Sequence, residues 1–381
     1  MSQSINIRNL QETGTTLKPN SFQKVIILCL EVCLAISIGW LISKLNIGGI
    51  AWIFGGIISG IIILQSSRIF FDYSPKPNRS IRKIGLPLVG LSIGCSIAGD
   101  NLINVFSRLP VFLGLTILLL LSGTLIGYLY SRLTQVNLLT SLFATVPGGV
   151  GVMSAIAADY NRDVTIVSLA QIIRVTSVVL IIPLIARVST GNLITSVKST
   201  SIDYFIPLQL EQLGLLLLAL LLTAIAVYGG LKLKIPTAHF FAAILVGIFF
   251  NPALALLTIH IHFIPPPIFN LLGQILLGIT IGEYWGEKPN LQPKLIGYSF
   301  LSMTMNLTAG FIAAFVAMQF TGWDWITCML VTAPGGAAEI ILVSMALHHN
   351  VELVTAGHLI RLIAINSSLP LWVYLFQRFD K

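Results

Sequence analysis

Two short segments, 187 residues apart, place a helix breaker inside apolar sequence. They are Pro147-Gly148-Gly149 and Pro334-Gly335-Gly336. Proline removes a backbone donor and blocks the preceding helical turn, and the glycines add backbone freedom. In an apolar environment the freed backbone groups need a neighbouring donor or a wet cavity. Broken helices of this kind form the substrate sites of many secondary transporters, so the pair predicts a binding site. A kink that serves packing alone is the alternative.

Arg174 and Arg361 occupy equivalent places near the middle of two apolar runs. An arginine at the centre of a membrane helix costs about 2.5–3.5 kcal/mol on insertion scales, so each needs a partner or an aqueous cavity. Gln171 and His358 lie three residues earlier and therefore on the same helical face as their arginine. The pattern predicts contact with a solute or a proton. A structural arginine bonded to broken-helix carbonyls is the alternative.

Glu339 follows the second breaker within the first helical turn, where an acid is favoured electrostatically. We expect it to pair with Arg361 or Arg174, or to carry a proton. Its counterpart in the first segment is Val152, so the predicted site is asymmetric. Two arginines and one carboxylate leave a net positive charge, which suits an anionic or zwitterionic solute.

The elements that position these residues follow from composition. Of the 381 residues, 55% are hydrophobic and only 9% are charged, against about 25% charged in a soluble domain. This excludes a soluble enzyme, a disordered chain and a nucleic-acid-binding domain, and it predicts an all-α integral membrane protein in a lipid bilayer. Twelve apolar runs are candidate helices, and we expect about ten to twelve crossings. The runs are 23–43, 47–66, 84–103, 109–131, 138–158, 164–186, 207–230, 236–256, 266–285, 296–320, 325–347 and 352–376.

A shift of 187 residues superimposes both breakers, both central arginines and several threonines, which indicates an internal duplication. We predict a cytoplasmic tail at 1–22, a first membrane repeat at 23–186, a polar linker at 187–206 and a second repeat at 207–377. Six crossings in each half would make the halves parallel, and five would make them inverted. The runs 138–158 and 325–347 contain the breakers and could be re-entrant, which leaves this choice open.

Lys and Arg residues are enriched in the segments assigned to the inside when both termini are cytoplasmic, mostly at 67–83. We therefore predict cytoplasmic termini. The four cysteines form no C-x-x-C pair, and the histidines form no H-E-x-x-H motif, so no metal and no cofactor is predicted.

The two breakers with Gln171-x-x-Arg174, Glu339 and His358-x-x-Arg361 resemble the AbrB-type membrane protein family, which is built from a duplicated hydrophobic unit. The resemblance extends from about residue 25 to 378. It implies an integral protein of the inner membrane with a role in regulating gene expression. Members are often labelled putative ammonia monooxygenase, and the soluble DNA-binding regulators of the same name are unrelated.

Three hypotheses follow, and the first is a secondary transporter of a small anionic or zwitterionic solute, coupled to protons or sodium. The second is a membrane sensor or regulator that binds a solute without transporting it. The third is a membrane-bound monooxygenase, for which the residues offer no evident metal-ligand set. The sequence predicts no nucleic-acid partner, and it leaves open the substrate and the formation of a homo-oligomer.

Overall fold

The computed structural model describes residues 21–44, 48–71, 78–97, 107–190, 210–235, 237–257, 261–285, 293–347 and 349–378. Within these ranges the chain is helical, with no strand. Almost all of the predicted tail at 1–22, and the predicted linker at 187–206 beyond Thr190, lie outside the described residues.

The described residues form fourteen α-helices and one 3-10 turn, Gly48–Ile50. The first half contains α1 (Ser21–Ser43), α2 (Ala51–Phe71), α3 (Arg79–Ser96), α4 (Leu109–Thr134), α5 (Leu138–Thr145), α6 (Val150–Asp159) and α7 (Val164–Thr190). The second half contains α8 (Leu210–Lys232), α9 (Ala238–Leu256), α10 (Pro267–Tyr284), α11 (Pro293–Thr321), α12 (Trp325–Thr332), α13 (Ala337–Ala346) and α14 (Val351–Gln377). The same succession of elements thus occurs twice.

Eight of the described helices are long and apolar enough to cross a membrane, namely α1, α2, α4, α7, α8, α9, α11 and α14. This confirms the predicted all-α, multi-pass membrane protein. Helices α3 and α10 have 18 residues each and are about 27 Å long at 1.5 Å per residue. Polar residues such as Arg82 and Gln274 reduce their hydropathy, and other helices of the bundle cover them.

Equivalent helices of the two halves run in opposite directions. The end of α4 contacts the start of α11, where Tyr130 Oη lies 2.9 Å from Ser299 Oγ. We call this side of the bundle face A. The start of α4 lies on the opposite side, face B, where the rings of Phe112 and Trp323 are 5.5 Å apart just beyond the end of α11. Helices α3 and α10 are also antiparallel, since Gly85 lies beside Leu277 and Gly273 lies beside Val89.

The second breaker forms a hairpin that enters and leaves the bundle on face B. Asp324 caps the start of α12, and His349 follows the end of α13; His349 Nδ1 lies 3.4 Å from Asp324 Oδ2. Ala346, the last residue of α13, packs against Gly49, beside the start of α2. Both outer ends of hairpin 2 (α12 and α13) therefore lie on the same side, and its tip at Pro334 is buried.

The first breaker forms the equivalent hairpin from face A. Helix α5 begins shortly after α4 ends, and the ring of Phe143 in α5 lies 6.3 Å from that of Tyr160, which follows α6. Ser154 of α6 bonds to Ser168 near the start of α7, with 2.8 Å between the hydroxyl oxygens. Hairpin 1 (α5 and α6) is thus the inverted counterpart of hairpin 2.

The two runs 138–158 and 325–347, for which the sequence left crossing and re-entrant arrangements open, are thus re-entrant in the structure. Each run is long and apolar enough to cross, but its two half-helices fold back at Pro-Gly-Gly and return to the same face. Each half contributes five long helices and one re-entrant hairpin, so the halves are inverted. The other ten predicted runs correspond to observed helices.

Helices from different halves pack closely through glycine. A side chain on Gly278 of α10 would overlap the carbonyl oxygen of Ile53 in α2, and one on Gly94 of α3 would overlap that of Ile244 in α9. The two interfaces, α2 with α10 and α3 with α9, are related by the internal repeat. Glycines at these positions therefore permit the close approach of the helices.

The helices form two groups, each drawn from both halves. The paired group contains α1, α2, α3, α8, α9 and α10, and the hairpin group contains α4, α7, α11, α14 and both hairpins. Packing within each group is extensive, whereas contacts between them run mainly from α13 to α3 and to the 3-10 turn. Two side-chain bonds, Trp285 to Thr176 and Asn270 to Met345, add to this boundary.

Candidate functional site

The two hairpin tips have matching local structure. Helix α5 ends at Thr145, whose hydroxyl donates to the carbonyl of Gly123 in α4 at 3.0 Å. In the second half, the hydroxyl of Thr332 donates to the carbonyl of Gly310 in α11 at 2.9 Å. Gly123 and Gly310 also leave room for the rings of the two breaker prolines, Pro147 and Pro334. The repeated threonines and glycines thus hold each tip against its neighbouring long helix.

Gln171 and Arg174 of α7 bind the tip of hairpin 1. Arg174 Nη1 donates to the carbonyls of Thr145 and Val146 at 3.2 and 3.1 Å, and its Nη2 donates to Gln171 Oε1 at 2.6 Å. Gln171 Nε2 donates to the carbonyls of Phe143 and Val146 at 2.8 and 3.0 Å. Together the two side chains satisfy carbonyls that the helix break leaves without an amide partner.

His358 and Arg361 of α14 bind the tip of hairpin 2 in the same way. Arg361 Nη1 donates to the carbonyl of Ala333 at 3.0 Å, and its Nη2 lies 2.6 Å from His358 Nδ1. His358 Nε2 lies 2.9 Å from the carbonyl of Leu330. These contacts require a neutral imidazole protonated on Nε2, because Nδ1 accepts and Nε2 donates. At hairpin 2, His358 therefore has the role that the amide of Gln171 has at hairpin 1. It accepts from the arginine and donates to a backbone carbonyl.

The structure supports the structural alternative for both arginines, since each is bonded to broken-helix carbonyls. Their charges are nevertheless incompletely balanced. Arg174 is 2% and Arg361 5% exposed. Within the described ranges neither lies in ion-pair distance of a carboxylate. The carbonyl ends of α5 and α12 supply only partial negative charge.

Glu339 is fully buried at the start of α13 and pairs with a residue that the sequence analysis did not select. Arg82 Nη2 of α3 lies 2.8 Å from Glu339 Oε1, so Glu339 pairs with Arg82 rather than with Arg174 or Arg361. The Arg82 side chain is 29% exposed. The ion pair joins the paired group to the hairpin group.

Gly335 and Gly336 give the second breaker its shape. A side chain on Gly336 would overlap the carboxylate of Glu339, and one on Gly335 would press against Ile340 and Val178. In the first breaker, Gly149 has a φ of 86°, which favours glycine, and a side chain on Gly148 would overlap Met153. The glycines thus permit a tight turn at both tips.

The internal repeat could not identify Arg82 as a site residue, because it has no charged counterpart in the second half. The equivalent position is occupied by the apolar Phe269 or the amide Asn270. The partner of Arg82 is distant in sequence, and Arg82 lies in a cluster of cations that positive-inside counting treats as a loop. Thr145 and Thr332 did carry a signal, because they coincide in the repeat. Their hydroxyl contacts with α4 and α11 still required the fold.

Other ionisable residues lie apart from the hairpin tips. Glu31 of α1 is buried, and the hydroxyl of Ser59 in α2 donates to its backbone carbonyl at 2.6 Å. Glu283 of α10 accepts a bond from the amide of Asn78 at 2.8 Å. Over the described ranges no three His, Cys, Asp or Glu residues cluster as a metal site would require. His260 and His348 lie outside those ranges.

Two inverted halves, each with five long helices and a re-entrant hairpin, define a duplicated multi-pass membrane protein. Residues 52–377 match the family described as "Transition state regulatory protein AbrB". The chain belongs to this AbrB family, as the resemblance of its motifs predicted. It is 27% identical over 357 residues to "Uncharacterized protein YhjN" of Bacillus subtilis (strain 168), covering 87% of this chain and 88% of that one. It is 26% identical over 339 residues to "Putative regulator AbrB" of Escherichia coli (strain K12), covering 87% and 90%.

Proposed function

We propose that this protein is a secondary transporter of a small anionic or zwitterionic solute, which binds between the tips of the two hairpins. The observation that carries the proposal is the arrangement of the hairpins. They enter from opposite faces, and each tip presents the amino-terminal end of a half-helix inside the bundle. Half-helix ends of this kind bind anionic substrate groups in inverted-repeat transporters.

The charge at the tips supports an anion rather than a cation. Two buried guanidinium groups lie near the helix break, and the carboxylate of Glu339 is already paired with Arg82. The amino-terminal ends of α6 and α13 add partial positive charge. Glycine-rich turns give a solute access to the backbone amides. The candidate contacts are Gly148, Gly149, Gly335 and Gly336, with Gln171, Arg174, His358, Arg361 and Glu339 supporting them.

The division into two helix groups supports alternating access. In inverted-repeat transporters one bundle rocks against the other around a central site. Here each hairpin is bonded to long helices of its own group, so the hairpin group is built to move as a unit. The Arg82–Glu339 ion pair spans the boundary and would break or re-form as the groups move.

We place face A in the cytoplasm of a cell with an inner (plasma) membrane. Among the described residues, eleven Lys and Arg lie at or beyond helix ends on face A and three on face B. Those on face A are Lys24, Arg68, Arg79, Arg82, Lys83, Arg132, Arg162, Lys232, Lys234, Lys294 and Arg378, and those on face B are Lys44, Arg108 and Arg187. This excess supports cytoplasmic termini, since α1 starts and α14 ends towards face A.

A membrane sensor or regulator is the second candidate, because the name of the Escherichia coli relative describes a putative regulator. Such a protein would bind the same solute without flux and would signal through a partner. Transport would also alter solute levels and thereby gene expression. Measurement of flux separates the two functions.

The decisive experiment is uptake by proteoliposomes that contain the purified protein. A panel of radiolabelled small carboxylates, α-amino acids and inorganic anions is first screened by thermal shift, where a ligand at 100 times its Kd stabilises by about 2.7 kcal/mol. We expect one class to stabilise the wild type and to accumulate, under a proton or sodium gradient. Arg361→Gln and Glu339→Gln should lose uptake, and Arg132→Gln, at an exposed helix end, should retain it.

Proteins that fail to give a single gel-filtration peak are excluded from the comparison. Binding without uptake would replace transport by sensing. If no member of the panel binds or accumulates, the proposed function is wrong.

A further inference from the structure

The ion pair between Arg82 and Glu339 occurs at one hairpin only. Both tips are held in the same way, by a threonine hydroxyl on a neighbouring long helix and by an arginine on carbonyls just before the breaker. Hairpin 1 is complete without a carboxylate, since Val152 occupies the position that Glu339 has in hairpin 2. The ion pair is therefore not needed to build a broken-helix tip. Ionisable residues inside a membrane bundle that the fold does not need indicate a function.

The charge of Glu339 depends on Arg82. Glu339 is 0% exposed and lies against the backbone of Gly336, at the tip of hairpin 2. Its Oε1 lies 2.8 Å from Arg82 Nη2, but neither carboxylate oxygen has a hydrogen bond of good geometry in the described structure. The other buried titratable side chains on helices packed against α13 bond to backbone carbonyls, namely Arg174, Cys328, His358 and Arg361. If Arg82 is withdrawn, Glu339 takes up a proton, because an unpaired buried charge is costly.

The guanidinium of Arg82 is open to a second anion. Its side chain is 29% exposed, whereas that of Glu339 is 0% exposed. Within the described ranges Arg82 is bonded to Glu339 alone, and none of its nitrogens is both buried and without a partner. Its remaining donors thus lie at accessible surface, on the boundary between the paired group and the hairpin group. A guanidinium has five donors and can hold a carboxylate through two parallel bonds, so one contact with Glu339 leaves that capacity unused.

We propose that Arg82 binds a carboxylate of the solute in competition with Glu339, and that Glu339 takes up a proton as the solute binds. The inference rests on the proposed function and identifies the proton as the coupling ion. An anion that draws Arg82 away leaves the buried carboxylate without its cation, so anion binding and proton binding favour each other. The affinity for the anion therefore rises as the pH falls. The solute crosses together with one proton, held on Glu339.

Thermal shift with sodium acetate as the probe tests this, with sodium chloride used to keep the ionic strength constant. Acetate is ionised at about pH 6 and about pH 8, so a difference between them belongs to the protein. The wild type should show the larger shift at the lower pH. Glu339→Gln should show equal shifts at both, with an apparent Kd for acetate about tenfold below that of the wild type at about pH 8. Arg82→Gln should show none, and Arg132→Gln should match the wild type.

The double variant Arg82→Gln/Glu339→Gln keeps the test valid if Arg82→Gln does not fold. Replacing both partners by neutral groups of similar volume leaves no buried charge unpaired, so this protein should fold. It should show no acetate shift at either pH. A shift in the double variant, no shift in the wild type, or a Glu339→Gln protein with the pH dependence of the wild type overturns the inference.

Uptake by proteoliposomes separates this inference from the proposed function. A proton gradient should drive accumulation by the wild type, and a sodium gradient alone should not. Accumulation driven by sodium alone overturns the inference while leaving the proposed transport in place. If acetate binding follows the expected pattern but no member of the anion panel accumulates, the proposed transport is wrong and Arg82 remains a binding residue.

Discussion

At the scale of the residue, each buried arginine donates hydrogen bonds to backbone carbonyls at the point where a helix is interrupted. Arg174 and Arg361 donate to carbonyls at the ends of α5 and α12, and Gln171 and His358 hold the guanidinium groups in place. An amide and a neutral imidazole serve equally, because each provides one acceptor and one donor on the same helical face. The charge thus stabilises the break while keeping a positive potential near the tip.

Replacing Arg174 by glutamine should therefore destabilise the protein as well as weaken anion binding. The change leaves the carbonyls of Thr145 and Val146 without their buried donor and should cost about 3 kcal/mol. The thermal midpoint in detergent measures the loss. Arg132→Gln is the control, because Arg132 is exposed and bonds within its own helix to Tyr128. Equal midpoints for the two variants would contradict the role of Arg174 at the tip.

Much of this detail could be read from the sequence. The repeat located both breakers and both arginines, and the cost of a buried charge required that they be compensated. The fold was needed to show how the two arginine charges are compensated. Contact with a solute and contact with backbone carbonyls would both require the same residue types, so the sequence alone could not separate them. The partner of Glu339 could not be predicted, because Arg82 lies in another half and its repeat position holds no cation.

At the scale of the element, glycine residues determine how closely helices of the two halves approach each other. The α2–α10 and α3–α9 interfaces bring backbones into contact, so that their stability depends on the absence of side chains. Hydropathy identified these helices because a long apolar run has few possible structures other than a membrane helix. Hydropathy did not identify the hairpins, because two half-helices and a turn have the length and composition of one crossing.

Gly278→Ala should disrupt the α2–α10 interface. A methyl group there would overlap the carbonyl oxygen of Ile53 and force the helices apart, at a cost of about 1–3 kcal/mol. Gel filtration and the thermal midpoint should both reveal the loss. Gly114→Ala in α4 is the matched control, because nothing lies within 4 Å of its side-chain position. A Gly278→Ala protein as stable as this control would show that the close approach is dispensable.

The inverted arrangement makes a clear prediction about sidedness at the scale of the whole molecule. Single cysteines at Arg132, Tyr160, Arg108 and Ser189 are introduced after the four native cysteines are replaced by alanine. In intact cells an impermeant maleimide should label Arg108→Cys and Ser189→Cys, which lie on face B. It should not reach Arg132→Cys and Tyr160→Cys on face A until the cells are opened.

Opposite labelling of Arg132→Cys and Tyr160→Cys would mean that hairpin 1 crosses the membrane. Labelling of both face A positions in intact cells would reverse the proposed orientation. The duplication and the multi-pass architecture could be predicted from the sequence. The relative direction of the halves was not, because it depends on whether each broken run crosses or returns.

The odd number of long helices in each half also bears on how such a chain can arise. When a gene encoding an odd number of crossings is fused to its own copy, the second product faces the opposite way without any added helix. The interfaces of α2 with α10 and of α3 with α9 join different halves and repeat each other, as in a dimer of identical chains. A single half would therefore need a second copy, inserted in the opposite orientation, to complete both interfaces.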